Sequence, residues 1–362
     1  MDDMPKTKVA LIGTGFVASI HMESYARFVH DAEVVAVCGH DAARTAAFAK
    51  EHGINEYYSD ADELFKKTDF EVADVCVPNY MHRDMVTKAA AAGAHVIVEK
   101  PFALTLDEAD EMIAVCRAKN VKLMYAEQLC FAPKYERVRE TVESGAVGEV
   151  YMIKQSEKHS GPHSRWFYDK RLSGGGVMMD MGCHAVAWFR WMNKHAKPKS
   201  VYADMKTVLH GGITDCEDNA VAIVEFDNGV TCVAEESWAR HGGMDDKIEI
   251  YGTKGVCYSD LFHGNSSLTY SLDGYGYSGE KAGSSKGWSF TIFEEAFNQG
   301  YPHELNHFIN CVRKDTEPLV TGEDGRAALE ILYAAYASAG SGAKAALPFY
   351  KKVNYPMELW KK

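Results

Sequence analysis

Apolar and polar positions over the first third of the chain switch repeatedly between two periods. Short, nearly continuous apolar runs occupy 8–12, 34–38, 72–77, 95–99 and 121–125. Unbroken apolarity at strand length marks strands covered on both faces. Between them, 16–28, 42–51, 61–66, 81–92 and 105–119 carry apolar residues at helical spacing. Local punctuation agrees. Asp60 suits an N-cap for the helix that starts at 61. Thr105-Leu-Asp-Glu108 is a capping box, and Gly93 stands where a C-cap belongs. Repeated β–α alternation predicts an α/β domain with a doubly wound parallel sheet and right-handed crossovers, over 1–128.

The pattern changes in the second part of the chain. Runs at 221–226 and 230–234 flank Asp227-Asn228-Gly229, a strong hairpin signal because Asn-Gly tolerates positive φ. A second hairpin is predicted at 248–251 and 256–258 around Gly252-Thr-Lys-Gly255. The stretch 177–192 is apolar enough for one buried helix, and 323–338 reads as a closing helix. These features predict an α+β domain over 129–362 with a mainly antiparallel sheet, its C-terminal segment returning to the first domain. The first hairpin is apolar on both alternating faces. One face is expected against helices and the other against a second subunit, giving a homodimer or homotetramer.

Composition narrows the classes. The chain has 362 residues, 46% hydrophobic and 25% charged, which suits two globular domains. A formal net charge of −12 argues against a nucleic-acid surface. No apolar run approaches the ~20 residues of a membrane span, and Met-Asp-Asp-Met-Pro-Lys is not a secretory signal. Nine cysteines without a CxxC pair read as small core residues in a reducing cytosol, hence a cytoplasmic protein.

Candidate chemistry clusters where the predicted strands end. After the first strand, Gly13-Thr14-Gly15-Phe16-Val17-Ala18 fills the dinucleotide fingerprint G-x-G-x-x-G/A. Gly13 permits the turn, Gly15 admits a pyrophosphate, and the helix from Phe16 offers its positive end. Polar residues gather at the other strand ends: His40 and Asp41, Pro78, Asn79 and His82, Glu99 and Lys100, and Glu127 with Gln128. An NAD enzyme usually places an acidic residue after the second strand. Gly39 holds that position here. Asp41 would serve NAD, whereas His40 and Arg44 would accommodate the 2′-phosphate of NADP, so both cofactors stay open. Asp180 and His184 lie i and i+4 on the predicted buried helix. His163, Arg165, Trp166 and Tyr168 form a polar, aromatic segment, either ligand-binding or a solvated loop with one buried Trp.

At Glu99-Lys100-Pro101 the chain resembles the glucose–fructose oxidoreductase / inositol dehydrogenase / rhizopine catabolism (Gfo/Idh/MocA) family. The resemblance runs over nearly the whole chain, through Gly13-x-Gly15-x-x-Ala18, Pro78-Asn79-x-x-His82, Ala92-Gly93-x-His95-Val96-x-x-Glu99-Lys100-Pro101, Gly174-Gly-Gly176, Asp180-x-Gly182-x-His184 and Thr321-Gly-Glu-Asp-Gly325. It implies a Rossmann domain followed by an open, largely antiparallel sheet. It also implies that Asp180 and His184 face the nicotinamide beside Lys100. These three groups fit oxidation of a secondary hydroxyl. His184, with an unperturbed pKa near ~6.5, would accept the proton. Lys100 would stabilise alkoxide character, and Asp180 would orient the hydroxyl or partner Lys100. Which of Lys100 and His184 moves the proton stays open.

The implied substrate is a sugar, cyclitol or glycoside. Tyr125-Ala-Glu127-Gln128 and the segment around Trp166 resemble members that oxidise glucosides at C3. The Gly-, Ser- and Tyr-rich stretch 264–288 reads as a long loop, either a disordered excursion or a lid with aromatic sugar contacts. An NAD-dependent glycosidase working by oxidation and elimination is the alternative within the family. A non-catalytic dinucleotide sensor is the alternative outside enzymes. One motif points elsewhere: His303-Glu304-Leu-Asn-His307 is a literal H-E-x-x-H, the zinc-protease pattern. With the Rossmann features otherwise unexplained, it is read as a structural helix, and no metal is expected.

Overall fold

The structure, a computed structural model, describes residues 5–193, 196–263, 267–273, 283–291 and 294–360. The chain divides into two compact units, Met1–Gln128 with Gly300–Leu329, and Leu129–Gln299 with Glu330–Lys362. Among the described residues, no helix is long and apolar enough to cross a membrane.

In the first unit, β1 (Thr7–Ile12), α1 (Phe16–Phe28), β2 (Ala32–Cys38), α2 (Ala42–His52), β3 (Glu56–Tyr58) and α3 (Ala61–Lys67) form one half. β4 (Val72–Val75), α4 (His82–Ala91), β5 (His95–Val98), α5 (Leu106–Lys119) and β6 (Leu123–Tyr125) form the other. All strand pairs are parallel, in the order β3-β2-β1-β4-β5-β6. The order reverses between β1 and β4, which opens a crevice at their carboxyl ends. Leu11, Val37 and Cys76 pack on one face of the sheet with Ala18 and Phe48, while Ala10, Ala36 and Cys38 pack on the other with Leu64. That double coverage is why these strands read as continuous apolar runs.

The expected caps are present. Asp60 Oδ1 accepts from Asp62 N at 2.8 Å, and Thr105 and Glu108 complete their box. β3 escaped the sequence pattern because three largely exposed edge residues carry no period. The helix Tyr301–Arg313 belongs to this unit and reaches α1, with Asn306 Nδ2 donating to Phe28 O at 3.0 Å. Thr321 and Asp324 cap the helix Gly322–Ser341, whose Gly322 and Gly325 leave no room for a Cβ beside Leu123 and Phe102.

The second unit is built on a mixed sheet. Its strands are β7 (Val150–Lys158), β8 (Pro198–Lys206), β9 (Asn219–Phe226), β10 (Thr231–Ser237), β11 (Asp245–Gly252) and β12 (Gly255–Asp260). β13 (Ser267–Ser271) and β14 (Gly287–Thr291) pair separately, and β15 (Ala345–Ala346) adds an edge to the main sheet. The main order is β12-β11-β7-β10-β9-β8-β15, antiparallel throughout except for β7 against β10. Both predicted hairpins form, with Gly229 at φ 86° in the first. Burial alternates strictly along β9, so one face of the sheet is covered and the other is not.

Two expectations need correction. The stretch 177–192 is two helices, Val177–Asp180 and Gly182–Met192, interrupted at Met181 with φ −114°. A Cβ at Gly182 would overlap the Met178 thioether, so the break also has a packing reason. The stretch 264–288 is not all loop, because β13 pairs with β14; Thr and Tyr among its Gly and Ser residues are strand formers. The rest of that prediction, 264–266 and 274–282, lies outside the described residues. The cysteines are free, and all but Cys257 are buried.

Candidate active site

β1 ends at Ile12, and Gly13 turns the chain out of the sheet at φ 127°. A Cβ there would overlap the carbonyl oxygen of Cys76. Gly13 N donates to Cys38 O and Cys76 N donates to Ile12 O, both at 2.7 Å, so the ends of β2 and β4 pin the turn. Gly15 differs: no atom lies within 4 Å of a Cβ built on it. The volume a side chain would take is the volume a pyrophosphate needs. α1 starts at Phe16 with no side-chain cap and no acidic residue in its first turn, so no local charge offsets its positive end. Thr14 and Val17 are half-buried in the turn, and Ala18 packs beside Leu11. The turn fits a dinucleotide.

At the end of β2, Gly39 sits against Thr14 and Thr45. Asp41 Oδ1 accepts from Arg44 N at 2.9 Å and caps α2, a bond that holds the carboxyl below its usual range. The Arg44 guanidinium donates to Thr14 O at 2.7 Å, so it is docked on the glycine turn. His40 is exposed. A carboxylate kept charged at this place would suit a ribose hydroxyl and would repel a 2′-phosphate. After β4, Pro78 leads into a short turn with Asn79 buried.

His82 is fully buried, with Nε2 at 2.8 Å from Val77 O and Nδ1 at 3.2 Å from Phe102 O. It staples the segment after β4 to the segment after β5, and burial lowers its pKa. Glu99 is also interior: Oε2 accepts from Lys100 N at 2.9 Å, and Oε1 lies 3.1 Å from His21 Nε2. Lys100 is half-buried, two residues beyond β5. Gln128, three residues beyond β6, is buried. The cofactor candidates therefore stand at the carboxyl ends of one sheet, with His82 and Glu99 bound into the protein behind them.

Asp180 and His184 belong to the second unit. Gly174 leaves a short helix at φ 88°, while a Cβ on Gly175 or Gly176 would overlap the Tyr336 hydroxyl or the Glu217 backbone. Glu217 Oε1 accepts from Gly176 N and Met178 N at 3.0 Å and from the Tyr336 hydroxyl at 2.5 Å, which fixes the start of the Val177–Asp180 helix. Burial raises the Glu217 carboxyl to about 6. Asp180 Oδ2 accepts from Trp238 Nε1 at 3.1 Å, and Asp180 and His184 are both buried. Because the helix breaks between them, the i, i+4 rule does not set their relation; the His184 amide instead donates to Met181 O at 2.9 Å.

The aromatic segment meets the same tryptophan. Phe167 and Tyr168 lie edge-on to Trp238 with centroids 6.3 and 5.9 Å away, and Trp166 stacks on Phe167 at 3.8 Å. His163 packs against His159, and Arg165 is exposed.

Sequence reasoning missed Asp246. Burial raises its carboxyl to about 7, against the Tyr135 hydroxyl that donates at 2.5 Å. Asp246 and Glu236 both pair in register with Glu157, giving a buried carboxyl row across β11, β7 and β10. The available signal was a polar residue at inward positions of alternating strands.

The H-E-x-x-H residues fall within the helix Tyr301–Arg313. His307 Nε2 accepts from Leu319 N at 2.8 Å, burial lowers its pKa, and Glu304 is fully buried. Among the described residues, no cluster of metal-ligating side chains includes His303 or His307.

Residues 7–127 match the model of the Gfo/Idh/MocA oxidoreductase family, NAD-binding Rossmann fold, and residues 135–258 match the Gfo/Idh/MocA C-terminal domain. The crystal structure of GenD2 from gentamicin A biosynthesis in complex with NAD is similar at TM-score 0.91 and 28% identity, over 96% of this chain and 98% of that one. Myo-inositol 2-dehydrogenase of Thermotoga maritima is 27% identical over 91% of this chain and 95% of its own length. D-glucoside 3-dehydrogenase of Escherichia coli is 31% identical over 64% of this chain and 70% of its own. With both family domains matched in order and a glycine turn shaped for a dinucleotide, the chain belongs to the Gfo/Idh/MocA family of oxidoreductases, and its first unit is an NAD-binding Rossmann fold.

Proposed function

We propose that the protein oxidises a secondary hydroxyl of a sugar, cyclitol or glycoside. Bound NAD supplies the hydride acceptor for this chemistry. His184 takes the hydroxyl proton as the carbinol C–H bond breaks, and the C–O bond becomes a carbonyl. Lys100 donates a hydrogen bond to the same oxygen and stabilises its developing negative charge. Asp180 orients that hydroxyl while the Trp238 indole holds its carboxylate. The observation that carries this assignment is the buried Asp180, fixed by Trp238 beside the aromatic segment of Trp166, Phe167 and Tyr168. Aromatic faces beside a polar orienting group suit a polyhydroxylated ring.

The names of the inositol and glucoside dehydrogenases above support the substrate class, and the glucoside relative supports C3 as the position oxidised. Incubation with NAD and a panel of myo-inositol, glucose, methyl β-glucoside and aryl glucosides tests the assignment. NADH absorbance should rise with at least one of them, and product NMR should show a ketone on the ring. NAD binding without reduction by any of them would favour the sensor, and release of free sugar without net NADH would favour the glycosidase.

We also propose that the uncovered sheet face joins two copies of the chain. Tyr202, Val221, Val256 and Tyr258 are exposed there between ion pairs such as Lys158–Glu235 at 2.8 Å. An apolar face interleaved with paired charges suits a self-complementary contact. Light scattering should show a dimer or tetramer that Tyr258→Glu weakens; a monomeric parent protein would refute it.

A further inference from the structure

Behind Lys100 lies a buried polar chain that the proposed chemistry leaves unused. His21, on the inward face of α1, is fully buried. Its Nδ1 lies 2.9 Å from Asp74 Oδ2 and its Nε2 lies 3.1 Å from Glu99 Oε1. The other Glu99 oxygen accepts from Lys100 N at 2.9 Å. A neutral imidazole carries one N–H, whereas two carboxylates on its two nitrogens call for two donors.

His82 is an internal contrast: equally buried and also bridging two oxygens, but those are neutral backbone carbonyls. At His82 burial wins and the pKa falls. At His21 burial is again the largest single influence, yet the pulls of Asp74 and Cys76 together exceed it and the pKa rises well above its usual value.

The remaining groups around His21 agree with a cation there. Cys76 Sγ lies 3.4 Å from Nδ1, and Tyr25 faces Asp74 from the next turn of α1. From the helix Tyr301–Arg313, Tyr301 sets its ring edge-on to His21 at 5.9 Å, and Glu304 is fully buried with neither carboxyl oxygen hydrogen-bonded. Burial, with Glu99, Glu127 and Asp74 nearby, raises the Glu304 carboxyl well above its usual range. A neutral Glu304 leaves one cation between two anions.

We infer that His21 is the positioning residue for Lys100: as an imidazolium joining Asp74 to Glu99, it fixes the Glu99 carboxylate under the Lys100 amide and so sets where the lysine side chain leaves the sheet. This role presupposes the function of Lys100 proposed above. The test uses the full chain, saturated with NAD and labelled with ¹⁵N in histidine and lysine.

One histidine ring should keep two N–H protons at a pH where ordinary imidazoles are neutral. That signal should disappear in His21→Gln and reduce to one N–H in the nearly isosteric Glu99→Gln. The Lys100 amide proton should lie downfield in the parent and move upfield in both variants, with NAD affinity changed less than threefold. If every ring is neutral at that pH, the imidazolium is refuted. If the ring is charged but the Lys100 amide does not move, the positioning role is refuted. With the glycoside or cyclitol that the panel identifies, both variants should lose about tenfold to hundredfold in kcat. Full activity in Lys100→Ala alongside the expected spectra would instead overturn the proposed function and leave the His21 bridge standing.

Discussion

Alanine at Lys100 or at His184 is expected to slow hydride transfer about 10²- to 10⁴-fold, the usual cost of removing an acid–base group, while NAD still binds. The glycine turn proposed to receive the cofactor contains neither residue, so the loss is expected on the chemical step. If both groups serve one transition state, the double variant loses less than the product of the single effects. Asp180→Asn separates two roles. An asparagine can keep an oxygen for the Trp238 indole, which now bonds Asp180 Oδ2 at 3.1 Å. A mild effect therefore means orientation by shape, and a severe one means that the negative charge is needed. Stopped-flow reduction of NAD with a substrate deuterated at the reacting carbon isolates this step from product release. Parental hydride-transfer rates in both alanine variants would show that the proton acceptor and the alkoxide partner lie elsewhere.

Gly13 and Gly15, two residues apart in one motif, should fail in opposite ways. Gly13→Ala places a side chain at φ 127° and into the carbonyl of Cys76. Strain at such a backbone angle costs of order 1–3 kcal/mol, and displacing the strand end adds to it. The variant should melt well below the parent or fail to accumulate. Gly15→Val meets no protein atom within 4 Å of its Cβ, so it should fold with the parent's melting temperature. Its side chain occupies the pyrophosphate's space instead, and NAD affinity should drop by about two orders of magnitude or more, as for an imposed steric clash in a site made for close backbone approach. Thermal melts with and without NAD, together with calorimetric titration, separate the two. Unchanged NAD affinity in Gly15→Val would place the dinucleotide somewhere else.

The residues that set these expectations were not equally visible beforehand. Period and cap chemistry are local, so the alternation of strands and helices, the capping box at Thr105 and the Asn228-Gly229 hairpin could be read directly. The glycine fingerprint and the Glu99-Lys100-Pro101 motif are equally short in sequence, which is why a candidate cofactor turn and a candidate lysine could be named from it. The single helix expected over 177–192 failed because apolarity reports burial but not continuity; the overlap of a Gly182 Cβ with Met178 and the break at Met181 depend on packing.

Pairings of polar groups far apart in the chain were invisible until the fold brought them together. His21 meets Asp74 and Glu99 across 53 and 78 residues, and Asp246 meets Tyr135 across 111. In the sequence these are isolated polar residues inside apolar patterns, and nothing local says which will face which. The direction in which each one shifts follows from its surroundings in space: burial opposes charge on both rings, but Asp74 and Cys76 outweigh it at His21, whereas it prevails at His82. Local pattern was enough for most elements of the first unit and for the glycine turn after β1, because those follow from contacts a few residues long. The protonation and placement of the groups behind Lys100 and His184 waited for the fold, because a buried charge is settled by the partners that folding brings to it.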